Sequence, residues 1–189
     1  MTRALRIAVA DDEPDVRDYF RRILPRLGHQ VVVVAQTGRE LVEQCRAARP
    51  DLVITDIKMP DLDGIEAAVA LGRDGPVPVI LVSAYHQPQL FERAQGEHIL
   101  AYLVKPAKQA DLEAAITIAM QRFAQFQALR REAADLRQTL EDRKVIERAK
   151  GLLMKQMGLD EEGAFRRLQT LARDSNRKMV EVSRMILRA

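Results

Sequence analysis

Over the first ~110 residues, short apolar runs alternate with amphipathic stretches, the pattern of strand–helix units that build a parallel sheet. Candidate strands are Leu5–Ala10, Gln30–Ala35, Leu52–Thr55, Val79–Ser83 and Ala101–Val104. Candidate helices start near Pro14, Gly38, Gly64, Gln87 and Ala107. Runs such as Val31–Val34 carry no polar alternation, as a strand covered on both faces requires. Five such units predict an α/β domain with a five-stranded, doubly wound parallel sheet. Pro25 falls where the first helix would otherwise continue, so that helix is expected to be shortened or kinked.

After Pro106 the strand pattern does not return. Leu112, Ile116, Ala119, Phe123 and Phe126 alternate steps of four and three, as in a heptad seam. The seam resumes at Leu129, Ala133, Leu136 and Leu140 after two steps of three, a stammer that overwinds a coil. No Gly or Pro lies between Pro106 and Gly151, so the last helix of the first domain is expected to run on as one long connecting helix. Three further helices are expected: from about Arg143 to Met157 with Gly158 as its stop, from Asp160 as N-cap to about Asp174, and from Ser175 or Asn176 to the end. The seam serves either to pair two copies of the chain as a coiled coil or to close on its own C-terminal helices.

Composition adds two constraints. Aromatics make up only 4% of the 189 residues and Trp is missing, so the core rests on Val, Ile, Leu, Ala and Met. Net charge is +3, unevenly spread: residues 1–121 hold 14 Lys+Arg against 17 Asp+Glu, and residues 122–189 hold 16 against 10. A basic back half fits a polyanion partner, and equally a solvated helix surface. Cys45 is the single cysteine, which excludes an intrachain disulfide or a cysteine-based zinc site. The opening apolar run stops at Asp11–Asp12, unlike a signal peptide, and no apolar stretch approaches membrane-spanning length. A cytoplasmic protein without membrane contact is expected.

The candidate chemistry gathers at the carboxyl ends of the strands, where parallel α/β sheets place functional groups. Asp11 and Asp12 follow the first strand, Asp56 ends the third, Ser83 ends the fourth and Lys105 follows the fifth. Three clustered carboxylates invite a hard cation with oxygen ligands, Mg²⁺ above all. A carboxylate can also attack phosphorus to give an acyl phosphate, with the lysine and hydroxyl receiving the phosphoryl oxygens. Singly, an Asp-Asp pair or a Lys-Pro dipeptide is an ordinary loop; jointly, five polar groups at the ends of four strands make a site.

These residues carry a resemblance. VADDE (9–13), VITDIKMPDLDG (53–64), LVSA (81–84) and YLVKP (102–106) resemble the receiver domain of two-component response regulators, over residues 1–120. The resemblance implies that Asp56 is phosphorylated by a histidine kinase. It further implies that Asp11, Asp12, Asp56 and the main-chain carbonyl of Lys58 hold Mg²⁺. Ser83 and Lys105 would form the switch pair with Tyr102 as the rotating aromatic, and Lys105–Pro106 would be cis. Ser83 stands where Thr is commoner, and Lys58 and Tyr85 occupy positions that tune acyl-phosphate lifetime in the family.

The C-terminal part has no His, no Cys and no acid paired with a nucleophile, so a binding module rather than an enzyme is expected. On composition alone it fits a dimerisation bundle just as well. RKVIERAKGLLMKQMGLDEEGAFRRLQTLARDSNRKMVEV (143–182) resembles the ANTAR domain, a three-helix RNA-binding output. By that resemblance residues 143–189 form the output domain and residues 121–142 a coiled-coil linker. The implied function is transcription antitermination on hairpin-containing leader RNA by a regulator that is a homodimer when phosphorylated. Candidate RNA contacts are Lys144, Arg148, Lys150, Lys155, Asn176, Arg177 and Lys178, although Lys150 and Phe165 also fit core or capping positions. Gly163 stands where the family has an acid that completes a capping box, which predicts a weaker helix start. A helix-turn-helix DNA binder and a protein-interaction module are the competing outputs.

Overall fold

The computed structural model describes residues 3–84 and 99–188. In chain order the elements are β1 (Arg6–Ala10), α1 (Pro14–Arg26), β2 (Gln30–Ala35), α2 (Gly38–Ala48), β3 (Leu52–Asp56), α3 (Gly64–Asp74), β4 (Val79–Ser83) and β5 (Ile99–Val104). Three helices follow: α4 (Gln109–Met157), α5 (Glu161–Asp174) and α6 (Met179–Ile186). The chain divides into two compact units, Met1–Phe126 and Gln127–Ala189, with the division inside α4.

In the first unit the sheet order is β2-β1-β3-β4-β5, with every pair parallel. Strand periodicity sends alternate residues to opposite faces. Ala8, Ala10, Val53, Val79 and Leu81 pack with Leu41, Val42 and Cys45 of α2 and Ile65, Ala68 and Leu71 of α3. Ile7, Val9, Leu52, Ile54, Ile80 and Val82 pack with Phe20, Ile23 and Leu24 of α1 and Leu112, Ala115, Ile116 and Ala119 of α4. The result is three layers, with the sheet buried on both sides as its unbroken apolar runs require. Pro25 lies in the last turn of α1, which ends one residue later. The helix expected near Gln87, and Tyr85, lie outside the described residues.

Three expectations for the helical part need correction, the last of them the start of the final helix. The first half of the seam (Leu112, Ile116, Ala119) is receiver core, because these residues cover the sheet. Leu129, Leu136 and Leu140 are instead 65%, 60% and 58% exposed. The stretch Arg143–Met157 is not a separate helix but the end of α4. Gly151 lies inside it at a cost of about 1 kcal/mol relative to Ala, too little to break a helix packed on its neighbours.

In the second unit Ala149 and Leu153 of α4, Ala164 and Leu168 of α5 and Val182 of α6 form the core, lined by Ile146, Leu171, Met179 and Ile186. The seam leucines are not among them. Gly158 ends α4 at φ +67, a backbone conformation that favours glycine. Asp160 accepts from the Gly163 backbone N–H at 2.8 Å, so half of a capping box forms without the side chain that Gly163 lacks. The last helix starts at Met179 rather than Ser175 or Asn176: the Ser175 hydroxyl donates to the Leu171 carbonyl at 2.6 Å, and Asn176 turns left-handed at φ +51.

Candidate functional site

The ends of β1 and β3 converge on the ammonium of Lys105. Lys105 follows β5, and its backbone N–H donates to the Ser83 carbonyl at 2.8 Å, so the lysine is held beside the end of β4. The Lys105–Pro106 peptide is cis, as expected. Lys105 Nζ donates to Asp11 Oδ1 at 3.1 Å and Glu13 Oε1 at 2.8 Å, and lies 3.3 Å from Asp56 Oδ1. Asp11, Asp56 and Ser83 are buried, whereas Asp12 and Glu13 are exposed. Tyr102 is half-buried on the α2–α3 side of the sheet.

The loop after β3 is built around Asp56. Asp56 Oδ2 accepts from the Lys58 backbone N–H at 2.9 Å, and the Gly64 N–H donates to the Ile57 carbonyl at 2.9 Å. A Cβ on Gly64 would stand 1.9 Å from the Asp56 carbonyl oxygen, so this approach requires glycine. Asp63 then caps α3 in a reciprocal box with Glu66, which stabilises that start by about 1 kcal/mol.

Burial dominates the electrostatics of both inner acids. It pushes Asp56 up to about 6, against the opposing pull of the Lys105 charge, while Asp11 adds to the rise. Asp11 is raised for the same reason, with Lys105 again opposing. Burial disfavours the charged Lys105, but hydrogen bonds to Glu13 and Asp11 and the nearby Asp56 charge outweigh it and raise the amine.

The donor set suits a hard cation. Asp11 Oδ2 is fully buried and, although 2.9 Å from Lys105 Nζ, makes no hydrogen bond because the angle is wrong. Asp11, Asp12 and Glu13 can bring one carboxylate oxygen each within 4.8 Å of one another. A buried carboxylate oxygen that accepts no hydrogen bond, beside an exposed acid pair, fits Mg²⁺. Glu13 was read in the sequence only as part of a motif; its role on Lys105 carries no spacing signal of its own.

In the second unit Lys144, Arg148 and Lys155 lie exposed on one stripe of α4, at helical spacing. Lys144 also pairs with Glu141 at 2.7 Å. Arg177 and Lys178 are exposed in the turn before α6, where Arg177 Nη1 meets Met185 Sδ at 3.0 Å. Lys150 is a correction. Its side chain is 9% exposed and held by Glu161 at 2.8 Å and Glu147 at 2.9 Å, which raise its amine and lower Glu161. Asn176 is accounted for by its left-handed backbone, which Asn tolerates well.

The response regulator receiver domain family matches residues 7–117, and the ANTAR domain family matches residues 134–187. The chain belongs to the response regulator receiver family and carries an ANTAR domain. It is 40% identical over 182 residues to the transcriptional regulatory protein PdtaR of Mycobacterium tuberculosis, covering 96% of this chain and 89% of that one. A protein-glutamate methylesterase/protein-glutamine glutaminase of Mesorhizobium japonicum is 41% identical over 81 residues, but those make up 24% of its length. Among solved structures, the signal receiver domain of NarL from Mycobacterium tuberculosis superposes with a TM-score of 0.59 at 27% identity, over 64% of this chain and 98% of that one. The chain is thus a two-component response regulator of the receiver–ANTAR type. No helix among the described residues is long and apolar enough to cross a membrane.

Proposed function

We propose that a histidine kinase phosphorylates Asp56 and that this controls binding of the ANTAR domain to hairpin-containing leader RNA, so that the protein acts as a cytoplasmic transcription antiterminator. The observation that carries the first half is the buried Asp56 carboxylate facing Lys105 at 3.3 Å beside the Asp11 acid. The Asp56 carboxylate attacks the phosphorus of a phosphohistidine; the P–O bond forms as the P–N bond breaks, and the imidazole leaves with the electron pair. Asp11, Asp12, Asp56 and the Lys58 carbonyl would hold Mg²⁺, which would supply charge neutralisation for the phosphoryl oxygens. Lys105 and Ser83 take the remaining oxygens, and Tyr102 turns inward behind them.

The output reading rests on the exposed basic stripe of α4 and the Arg177–Lys178 turn, groups that suit phosphate contacts on an RNA whose loop exposes its base edges. We assign residues 1–120 to the receiver, 121–142 to a coiled-coil linker and 143–189 to the output. Exposed Leu129, Leu136 and Leu140 support pairing of two phosphorylated copies along the linker. The test is a binding assay on the phosphorylated protein with a leader hairpin RNA and the matching duplex DNA. Preference for RNA supports the reading; equal or stronger DNA binding contradicts it.

A further inference from the structure

The N-terminus of α1 holds a cation that neither the strand ends nor the sequence motifs account for. Arg17 reaches back over the first turn of its own helix, and its Nη1 donates to the Asp11 carbonyl at 2.7 Å and the Asp12 carbonyl at 2.8 Å. Glu13, the N-cap of that helix, makes no capping bond with its side chain; its carboxylate goes to Lys105. The Asp11 carboxylate is held by Lys105 and by the Glu13 backbone N–H at 3.1 Å. The Asp12 carboxylate is exposed and has no side-chain partner among the described residues. What sets its direction is therefore the main chain of residues 11 and 12, and the Arg17 guanidinium binds both of those carbonyls.

We propose that Arg17 is a positioning residue for the divalent cation: it fixes the Asp11–Asp12 main chain so that the Asp12 carboxylate stands beside the Asp11 carboxylate. This rests on the reading that Asp11 and Asp12 hold Mg²⁺. Partners that orient metal ligands typically contribute 10–100-fold to affinity. The sign is diagnostic. As a bare charge, a guanidinium repels Mg²⁺, so its removal would tighten binding; as a positioning group, its removal weakens binding.

The experiment is calorimetric titration of full-length protein with Mg²⁺ alone, for the parent, Arg17→Ala, Arg17→Lys and Asp12→Ala, alongside the metal-free urea midpoint of each. Arg17→Ala is expected to weaken Mg²⁺ binding about 10-fold or more with little change in the metal-free midpoint. Arg17→Lys, which keeps a donor on a long stem, is expected to recover part of the loss. Should Arg17→Ala unfold, Arg17→Gln carries the same expectation of weaker binding. Parent-like or tighter Mg²⁺ binding by a folded Arg17 variant, with Asp12→Ala impaired, overturns the role of Arg17 and leaves the metal reading standing. Parent-like binding by Asp12→Ala overturns both.

Discussion

Lys105 Nζ sits 3.3 Å from Asp56 Oδ1 and 2.8 Å from Glu13 Oε1, so one ammonium is shared between a buried acid and an exposed one. The buried acid is largely shielded from solvent and depends on Lys105, whereas exposed Glu13 loses little if the lysine moves. A phosphoryl group on Asp56 would thus draw Lys105 away from Glu13 more readily than from the interior.

The same burial makes Asp56 a source of instability at neutral pH. Its folded value of about 6 lies above the ordinary 3.8, so the folded state holds the proton more tightly than the unfolded chain. That contribution is fully present below the unfolded value and is lost as pH rises through about 6. Asp56→Asn removes the penalty. In metal-free buffer it is expected to stabilise the protein by on the order of 1–3 kcal/mol near pH 7.5, with the gain shrinking to nothing near pH 4. Urea denaturation at a series of pH values checks this; a gain that does not change with pH contradicts it.

Gly64→Ala is expected to cost about 1–3 kcal/mol, as overpacking does, because the new Cβ must push the Asp56 carbonyl aside. Phosphate incorporation from a small phosphodonor should fall in the same variant, since the displaced backbone carries the acceptor. Normal incorporation with parent stability would show that the loop yields freely.

The architecture was legible because its signal is periodic. The apolar runs at Leu52–Ile54 and Val79–Val82 are buried on both faces, and the structure splits them between two layers in alternation. The pocket was legible for a different reason: Asp11 and Lys105 follow strands, Asp56 and Ser83 end them, and parallel strands end on one side. The roles of Glu13 and Arg17 were not legible, because each depends on where a side chain turns within the first turn of α1. The seam was misread at its start because Leu112, Ile116 and Ala119 satisfy heptad and receiver-core spacing alike.

Buried Lys150 and the exposed stripe of Lys144, Arg148 and Lys155 should separate cleanly. Alanine at Lys144, Arg148 or Lys155 is expected to weaken RNA binding across many sequences and to lower the slope of log affinity against log salt by about one each. Lys150→Ala strands Glu147 and Glu161 without their shared cation, so its effect should appear in thermal stability of the second unit. Unchanged melting with a lost salt slope would place Lys150 on the RNA instead.

Leu136→Glu addresses the exposed seam. A charge at a seam position should abolish any phosphorylation-dependent dimer in sedimentation while leaving receiver phosphorylation untouched, since Leu136 lies outside the first unit. Dimers that survive the change would move the pairing surface elsewhere.

Phosphate on Asp56 is expected to change RNA affinity, which a binding titration reads directly. Affinity for a leader hairpin RNA is measured at fixed salt with and without a small phosphodonor and Mg²⁺, for the parent and for Asp56→Asn. The phosphodonor is expected to tighten binding by the parent and to leave Asp56→Asn unchanged. Equal tightening in both proteins, or none in the phosphorylated parent, would contradict it.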